Sequence, residues 1–144
     1  FEKIKIIDLI KINFDKFNDN KILSISYNNF DKEYKIFFKD EINYALGNII
    51  QNSILYSNSK IKIFLELNED NFFIKIEDDG TGFAKDVLDK LGEPYISKNK
   101  KGMGLGIFIA KNLIENMKGE IAFYNSKNNN AIVEIKFDKA ILIL

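Results

Sequence analysis

The 144-residue chain has no cysteine, histidine, tryptophan or arginine, and it has a single proline. Without cysteine there is neither a disulfide framework nor a thiolate zinc site, which suits a reducing compartment. Without histidine, this chain cannot itself supply a Ser-His-Asp or Cys-His mechanism, an HExxH zinc site or imidazole acid–base chemistry. Neither sign of charge prevails: 21 basic residues, all lysine, against 21 acidic ones argue against general nucleic-acid binding. No apolar run approaches the ~18 residues of a membrane span, and no signal peptide is visible.

What is present is 46% hydrophobic residues in a chain of one domain's length. Such a chain buries roughly two-thirds of its unfolded surface without staples. Ile, Lys and Asn dominate throughout, with no repeat and no linker; Asn128-Asn129-Asn130 reads as a turn. The start at Phe1 is read as that of a piece of a longer protein.

Apolar residues at Ile6, Ile7, Ile10, Phe14 and Phe17 predict an amphipathic helix over residues 2–18. Residues 22–27 and 34–38 read as two short strands around an Asn28-Asn29 turn. Asp40 is expected to cap a second helix that runs to Tyr56 and buries Ile42, Leu46, Ile49 and Ile50. Alternating strands follow at 60–67 and 72–77. The stretch 83–101 reads as a loop with one short helix around Val87 to Leu91. A third helix is expected from about Gly104, burying Leu105, Phe108, Ile109, Leu113 and Met117 and capped by Gly119. Strands at 121–125 and 132–137 complete an α+β two-layer sandwich with one sheet face covered by helices and the other more open.

Three constellations stand out. Asn48, Asn52 and Tyr56 follow one another at helical i, i+4 spacing, hence on one face, each about 6 Å from the next. An amide oxygen is a hard ligand that suits Mg²⁺ beside a polyphosphate; the alternative is a solvent face in a chain with many asparagines. Asp78-Asp79-Gly80-Thr81-Gly82 follows a strand directly. Its glycines allow a flat ligand to approach the backbone, and Asp78 could accept from an exocyclic amine; the alternative is an Asp-Gly hairpin turn. Gly102-Met103-Gly104-Leu105-Gly106 enters the third helix, where free N–H groups and the helix dipole suit phosphate, with Lys98, Lys100 and Lys101 upstream. Here the alternative is a flexible linker. Neither GxGxxG nor GxxxxGK[ST] is present.

In order and spacing the three resemble the N, DxGxG and GxGLG boxes of the GHKL superfamily, in particular the ATP-binding catalytic domain of bacterial sensor histidine kinases. Leu91 to Tyr95, taken with Met103 to Lys111, is similar to the redox-responding RegB/PrrB group. The resemblance is close over about residues 40–125. It implies a Bergerat-type fold, a mixed and mostly antiparallel sheet with helices on one face and an ATP lid over residues 83–101. It implies ATP and Mg²⁺ as ligands, with Asn52 holding the metal and Asn48 near the phosphates. Tyr56 would lie against the adenine and Asp78 would accept from its amine, while Gly80 and Gly82 let the chain pass close to the base. Tyr95 would anchor the lid. Gly102, Gly104, Leu105 and Gly106 would hold the phosphates. Two departures stand out: Leu55 occupies a position often basic in the family, which shifts phosphate neutralisation to Lys98, and Lys101 stands where a glycine often does.

Neither the acceptor histidine nor a general base beside it lies in this chain, so no residue here is assigned a catalytic role. The resemblance implies a piece that binds Mg-ATP and cannot phosphorylate itself. Its partners would be its own histidine-containing dimerisation domain and a response regulator's receiver domain. The location would be cytoplasmic, the parent dimeric and membrane-anchored or free. The competing readings are a stand-alone GHKL anti-sigma serine kinase, a gyrase- or chaperone-type ATPase, and a degenerate non-catalytic docking domain.

Overall fold

The alternating segments of the sequence become the centre of the fold, seen in a computed structural model that describes residues 2–90 and 105–144. Five strands form one sheet in the order β2 (Ile22–Asn28), β4 (Lys60–Leu67), β5 (Asn71–Asp78), β7 (Ala131–Asp138), β6 (Glu120–Asn125). β2 runs parallel to β4, and every other pairing is antiparallel. A two-stranded sheet joins β1 (Lys3–Lys5) to β3 (Lys35–Phe37).

Period-two alternation puts Ile61, Ile63 and Leu65, Phe72, Ile74 and Ile76, and Val133, Ile135 and Phe137 on one buried face. Helices α1 (Ile6–Phe17), α2 (Asp40–Tyr56) and α4 (Leu105–Asn116) cover that face in one continuous core. Ile42, Leu46, Ile49 and Ile50 of α2 are buried there, as the spacing predicts. Each such side chain contributes on the order of 1.5–3 kcal/mol relative to exposure. The opposite face carries charge pairs in cross-strand register, Lys75 with Glu134 at 3.8 Å and Lys136 with Glu120 at 3.1 Å. This is the expected α+β two-layer arrangement.

Several local expectations fail for identifiable reasons. Residues 3–5 form a strand instead of the first turn of α1, because Ile4 pairs with Ile36 and the helical spacing starts only at Ile6. β2 and β3 do not pair across Asn28-Asn29. Phe30 is buried and stacks on Phe72 at 5.4 Å, which carries the connection away from β2. Asp40 is the first residue of α2, with Lys39 at its N-cap and no side-chain cap; Asp40 and Glu41 still favour the positive end of the dipole. The short helix α3 spans Lys85–Leu88 instead of starting at Val87.

In α4 the buried stripe is Ile107, Ala110 and Ile114, while Leu105 is 57% exposed and Phe108, Ile109, Leu113 and Met117 are half-buried. The apolar run fits two helical phases, and the close approach of Gly106 to α2 selects one of them. The left-handed residue after α4 is Lys118 (φ 64°), not Gly119. Gly119 N–H donates to the Ile114 carbonyl and Lys118 N–H to that of Glu115, both at 2.9 Å, which is a Schellman end. Gly119 is needed for space, since a Cβ there would lie 2.6 Å from the Phe137 ring.

Candidate functional site

β5 delivers Asp78 to the buried side of the sheet because it continues the series Phe72, Ile74, Ile76 at period two. Its side chain is 5% exposed and accepts a hydrogen bond from Gly80 N–H at 2.9 Å. Burial pushes its pKa from 3.8 up to about 6, against the pull of the Gly80 N–H and with help from the charges of Asp79 and Glu77.

The turn that follows presses on the end of α2. A Cβ on Gly80 would lie 2.1 Å from the carbonyl oxygen of Tyr56, so no side chain fits there. Gly82 has φ 83°, and a Cβ on it would meet the Asn129 carbonyl oxygen at 2.3 Å. Among the described residues the next element after the turn is a helix, not a strand; Asn125 fixes the exit by accepting from Phe83 N–H at 2.8 Å and donating Nδ2–H to the Phe83 carbonyl at 2.9 Å.

Sequence reasoning missed Asp79. Its carboxylate accepts from the backbone N–H groups of Asn58, Ser59 and Lys60 at 2.8, 3.0 and 3.1 Å, and from Ser59 Oγ–H at 2.9 Å. Burial works against its charge, but the N–H groups of Ser59 and Lys60, the Ser59 hydroxyl and the Asn58 N–H outweigh it and hold the pKa down at about 2. Asp79 thus ties the turn to the segment leaving α2. Its adjacency to Asp78 was visible in the sequence, but its partners lie 19 to 21 residues away. Asn125 was equally hidden among the chain's many asparagines.

The Asn48-Asn52-Tyr56 stripe lies along the solvent side of α2, all three half-buried. Asn48 Nδ2–H donates to the Tyr44 carbonyl, and Asn48 Oδ1 is 2.6 Å from where a Cβ on Gly106 would stand, so the stripe touches the start of α4. Asn48, Asn52, Leu55 and Gly106 line an open cleft of about 450 Å³ together with Phe17 and Lys21. The Asn52 amide makes no hydrogen bond among the described residues. Among those residues no cluster of three His, Cys, Asp or Glu side chains could hold a metal ion. A cation here would therefore need amide oxygen, which Asn52 can offer, and an anionic ligand brought by a bound molecule.

Leu105 opens α4, exposed, beside Gly106. Tyr95, Lys98, Gly102 and Gly104 lie outside the described residues, as does the 91–101 part of the lid expected over residues 83–101. No helix among the described residues is long and apolar enough to cross a membrane.

The two aspartates give opposite pH dependences. The folded state binds the Asp78 proton more tightly than the unfolded state, so ionising it costs stability as pH rises from about 4 through about 6. At about 1.4 kcal/mol per pK unit, that cost is about 3 kcal/mol. Asp79 stabilises when ionised, a contribution present above about pH 4 and lost as pH falls toward about 2. Melting temperature followed against pH in the Asp78→Asn variant is expected to lose its decline between pH 4 and 6. The Asp79→Asn variant is expected to lose instead the steepening of the acid limb below pH 4. Unchanged profiles in both would contradict these assignments.

The family described as histidine kinase-, DNA gyrase B-, and HSP90-like ATPase matches residues 39–141. The sensor histidine kinase RegB of Cereibacter sphaeroides is 31% identical over 107 residues, covering 67% of this chain and 23% of that protein. An NtrY-like sensor histidine kinase of Rickettsia typhi is 27% identical over 144 residues, covering 96% of this chain and 24% of its own length. The chain thus spans about a quarter of the curated relatives it matches. Among solved structures, the catalytic domain of histidine kinase ThkA superposes with a TM-score of 0.80 at 22% identity, covering 96% of this chain and 95% of that one. A mycobacterial sensor histidine kinase, MprB, does so with a TM-score of 0.78 at 13% identity, covering 95% and 97%. At these identities the structural likeness speaks for the fold alone.

Proposed function

From the premise that the chain belongs to the histidine kinase-, DNA gyrase B-, and HSP90-like ATPase family, we propose that it is the Mg-ATP-holding domain of a sensor histidine kinase. It presents the γ-phosphate to a histidine on a separate domain, from which the phosphate passes to an aspartate of a response regulator. The observation that carries this reading is the convergence on α2: the Asp78–Gly82 turn meets it at Tyr56, and the start of α4 meets it at Asn48. One end of the site then offers a buried acceptor for the adenine amine, and the other offers a helix N-terminus for phosphates.

Each residue has a stated part. Asp78 accepts from the adenine amine while its other partner, Gly80 N–H, holds the carboxylate in place. Gly80 and Gly82 keep the turn thin enough for the base, with Tyr56 beside it. The N–H groups at Gly104, Leu105 and Gly106, with Gly102 before them, receive phosphate oxygens, and Lys98 and Tyr95 act from the lid. Asn48 and Asn52 face the phosphates, and the Asn52 amide oxygen holds magnesium. When bound, that ion screens the phosphate charges and makes the γ-phosphoryl group more electrophilic. Phosphoryl transfer asks the protein mainly for positioning and charge stabilisation. With no histidine in the chain, the acceptor must come from elsewhere. A gyrase-like hydrolase is disfavoured because α2 from Ile42 to Tyr56 carries no carboxylate to activate water.

Asn52→Ala is the specific test. It is expected to weaken ATP binding about tenfold in magnesium, roughly one lost charge-assisted contact, and to leave ATP binding in EDTA unchanged. Equal weakening with and without the metal, measured by calorimetry, would contradict the assignment of the ion to Asn52.

A further inference from the structure

The second half of the Asp78–Gly82 turn has little to anchor itself with: Gly80 and Gly82 carry no side chain, and Thr81 is exposed. The entry is held by β5 and by the Asp79 bonds to residues 58–60, and Gly80 rests on the Tyr56 carbonyl. A stretch with two glycines pays a large ordering cost when a ligand binds, unless its exit is held as well. That hold comes from the hairpin of β6 and β7 at the edge of the sheet. Asn129 Nδ2–H donates to the Thr81 carbonyl at 3.2 Å, and Asn125 takes both backbone groups of Phe83. Gly82 lies so close between them that a Cβ would stand 2.3 Å from the Asn129 carbonyl oxygen and 3.0 Å from Asn125 Oδ1.

We propose that Asn125 is a positioning residue for base recognition: by locking the backbone of Phe83 it keeps the Gly80–Gly82 half of the turn in the shape that receives adenine. Its amide stands where a ladder partner would, Oδ1 accepting from Phe83 N–H at 2.8 Å and Nδ2–H donating to the Phe83 carbonyl at 2.9 Å. A carboxylate in its place could accept but not donate, so the carboxamide is specific to the task. The hairpin behind it is itself tied. Ser126 N–H donates to the Asn130 carbonyl at 2.8 Å, and Asn130 N–H to Ser126 Oγ at 3.1 Å. Asn130 Nδ2–H reaches Glu77 Oε2 at 3.3 Å, one residue before Asp78, so the hairpin grips β5 before the turn and the chain after it. The Phe83 ring meets Phe123 of β6 edge-on at 6.3 Å, which fixes the side chain of Phe83 on the same strand as its backbone. The inference rests on the Mg-ATP reading and adds to it a residue outside all three motifs, acting through Gly82 and Phe83.

The experiment measures ATP, GTP and tripolyphosphate, which has no base, by calorimetry in magnesium on the full chain, well below its melting temperature. Asn125→Ala removes both bonds to Phe83, and the isosteric Asn125→Asp keeps the acceptor but turns a second oxygen on the Phe83 carbonyl. Each variant is expected to weaken ATP about tenfold, the worth of one net hydrogen bond, and to leave GTP and tripolyphosphate little changed. The preference for ATP over GTP therefore falls about tenfold. Asn128→Ala, at an exposed position of the same hairpin, is expected to bind all three as the parent does. A purely structural role would lower the melting temperature and leave the ratio of ATP to GTP affinity unchanged, and that result overturns the proposal. So does an equal loss of ATP and tripolyphosphate, which would mean a general loosening of the domain. Failure of the unmodified chain to bind ATP would instead overturn the Mg-ATP reading, and this inference with it.

Discussion

Gly80→Ala is expected to destabilise the domain by about 3 kcal/mol and to abolish nucleotide binding. The new Cβ would stand 2.1 Å from the Tyr56 carbonyl oxygen, a backbone atom that no rotamer change can move aside. Relief requires the turn to lift off the end of α2. That separates Asp78 from the asparagine stripe and strains the Asp79 bonds to residues 58–60. In a domain of this size such a loss lowers the melting temperature by roughly 10 °C. Thr81→Ala, one residue on at an exposed position, is the control and is expected to melt within about a degree of the parent. If Gly80→Ala melted normally and bound ATP, the close packing of the turn on α2 would not be what builds the site.

Asp78→Asn is expected to cost ATP affinity ten- to a hundredfold without unfolding the chain. The replacement has the same shape, and its carbonyl oxygen can still accept from Gly80 N–H. Its remaining atom is then an N–H donor where the adenine amine also donates, so the two repel and a buried donor goes unpaired. A guanine presents an acceptor at that edge, so the ratio of ATP to GTP affinity is expected to fall as well. The chain is also expected to gain stability above pH 6, because a buried carboxylate is no longer forced to ionise. A variant that kept its preference for ATP would remove Asp78 from base recognition.

The layers of the fold and the three motifs were legible in the sequence for the same reason: both are written in local spacing. Alternation over residues 60–67 and 72–77 fixes which face of the sheet is buried and leaves Asp78 as its last inward position. The helical stripe in α2 separates Leu46 and Ile50 from Asn48 and Asn52 in the same way. What escaped depends on partners far along the chain. The pairing of β2 with β4 joins Ile22 to Lys60, and nothing local distinguishes that from a hairpin across Asn28-Asn29. The phase of α4 was ambiguous because its run is apolar nearly all round, and contact between Gly106 and Asn48 decides it. Asp79 and Asn125 both act through backbone groups of distant segments, so their residue types alone carried no signal.

These elements share one consequence: the proposed site exists only where the β5 turn and the start of α4 both rest on α2, and its proposed chemistry selects an adenine nucleotide. Isothermal titration calorimetry of the 144-residue chain with ATP and with GTP in magnesium tests this most directly. The account predicts one saturable site for ATP and binding of GTP at least about tenfold weaker, the discrimination expected of one buried polar acceptor. No binding at millimolar ATP, or equal binding of the two nucleotides, would contradict it.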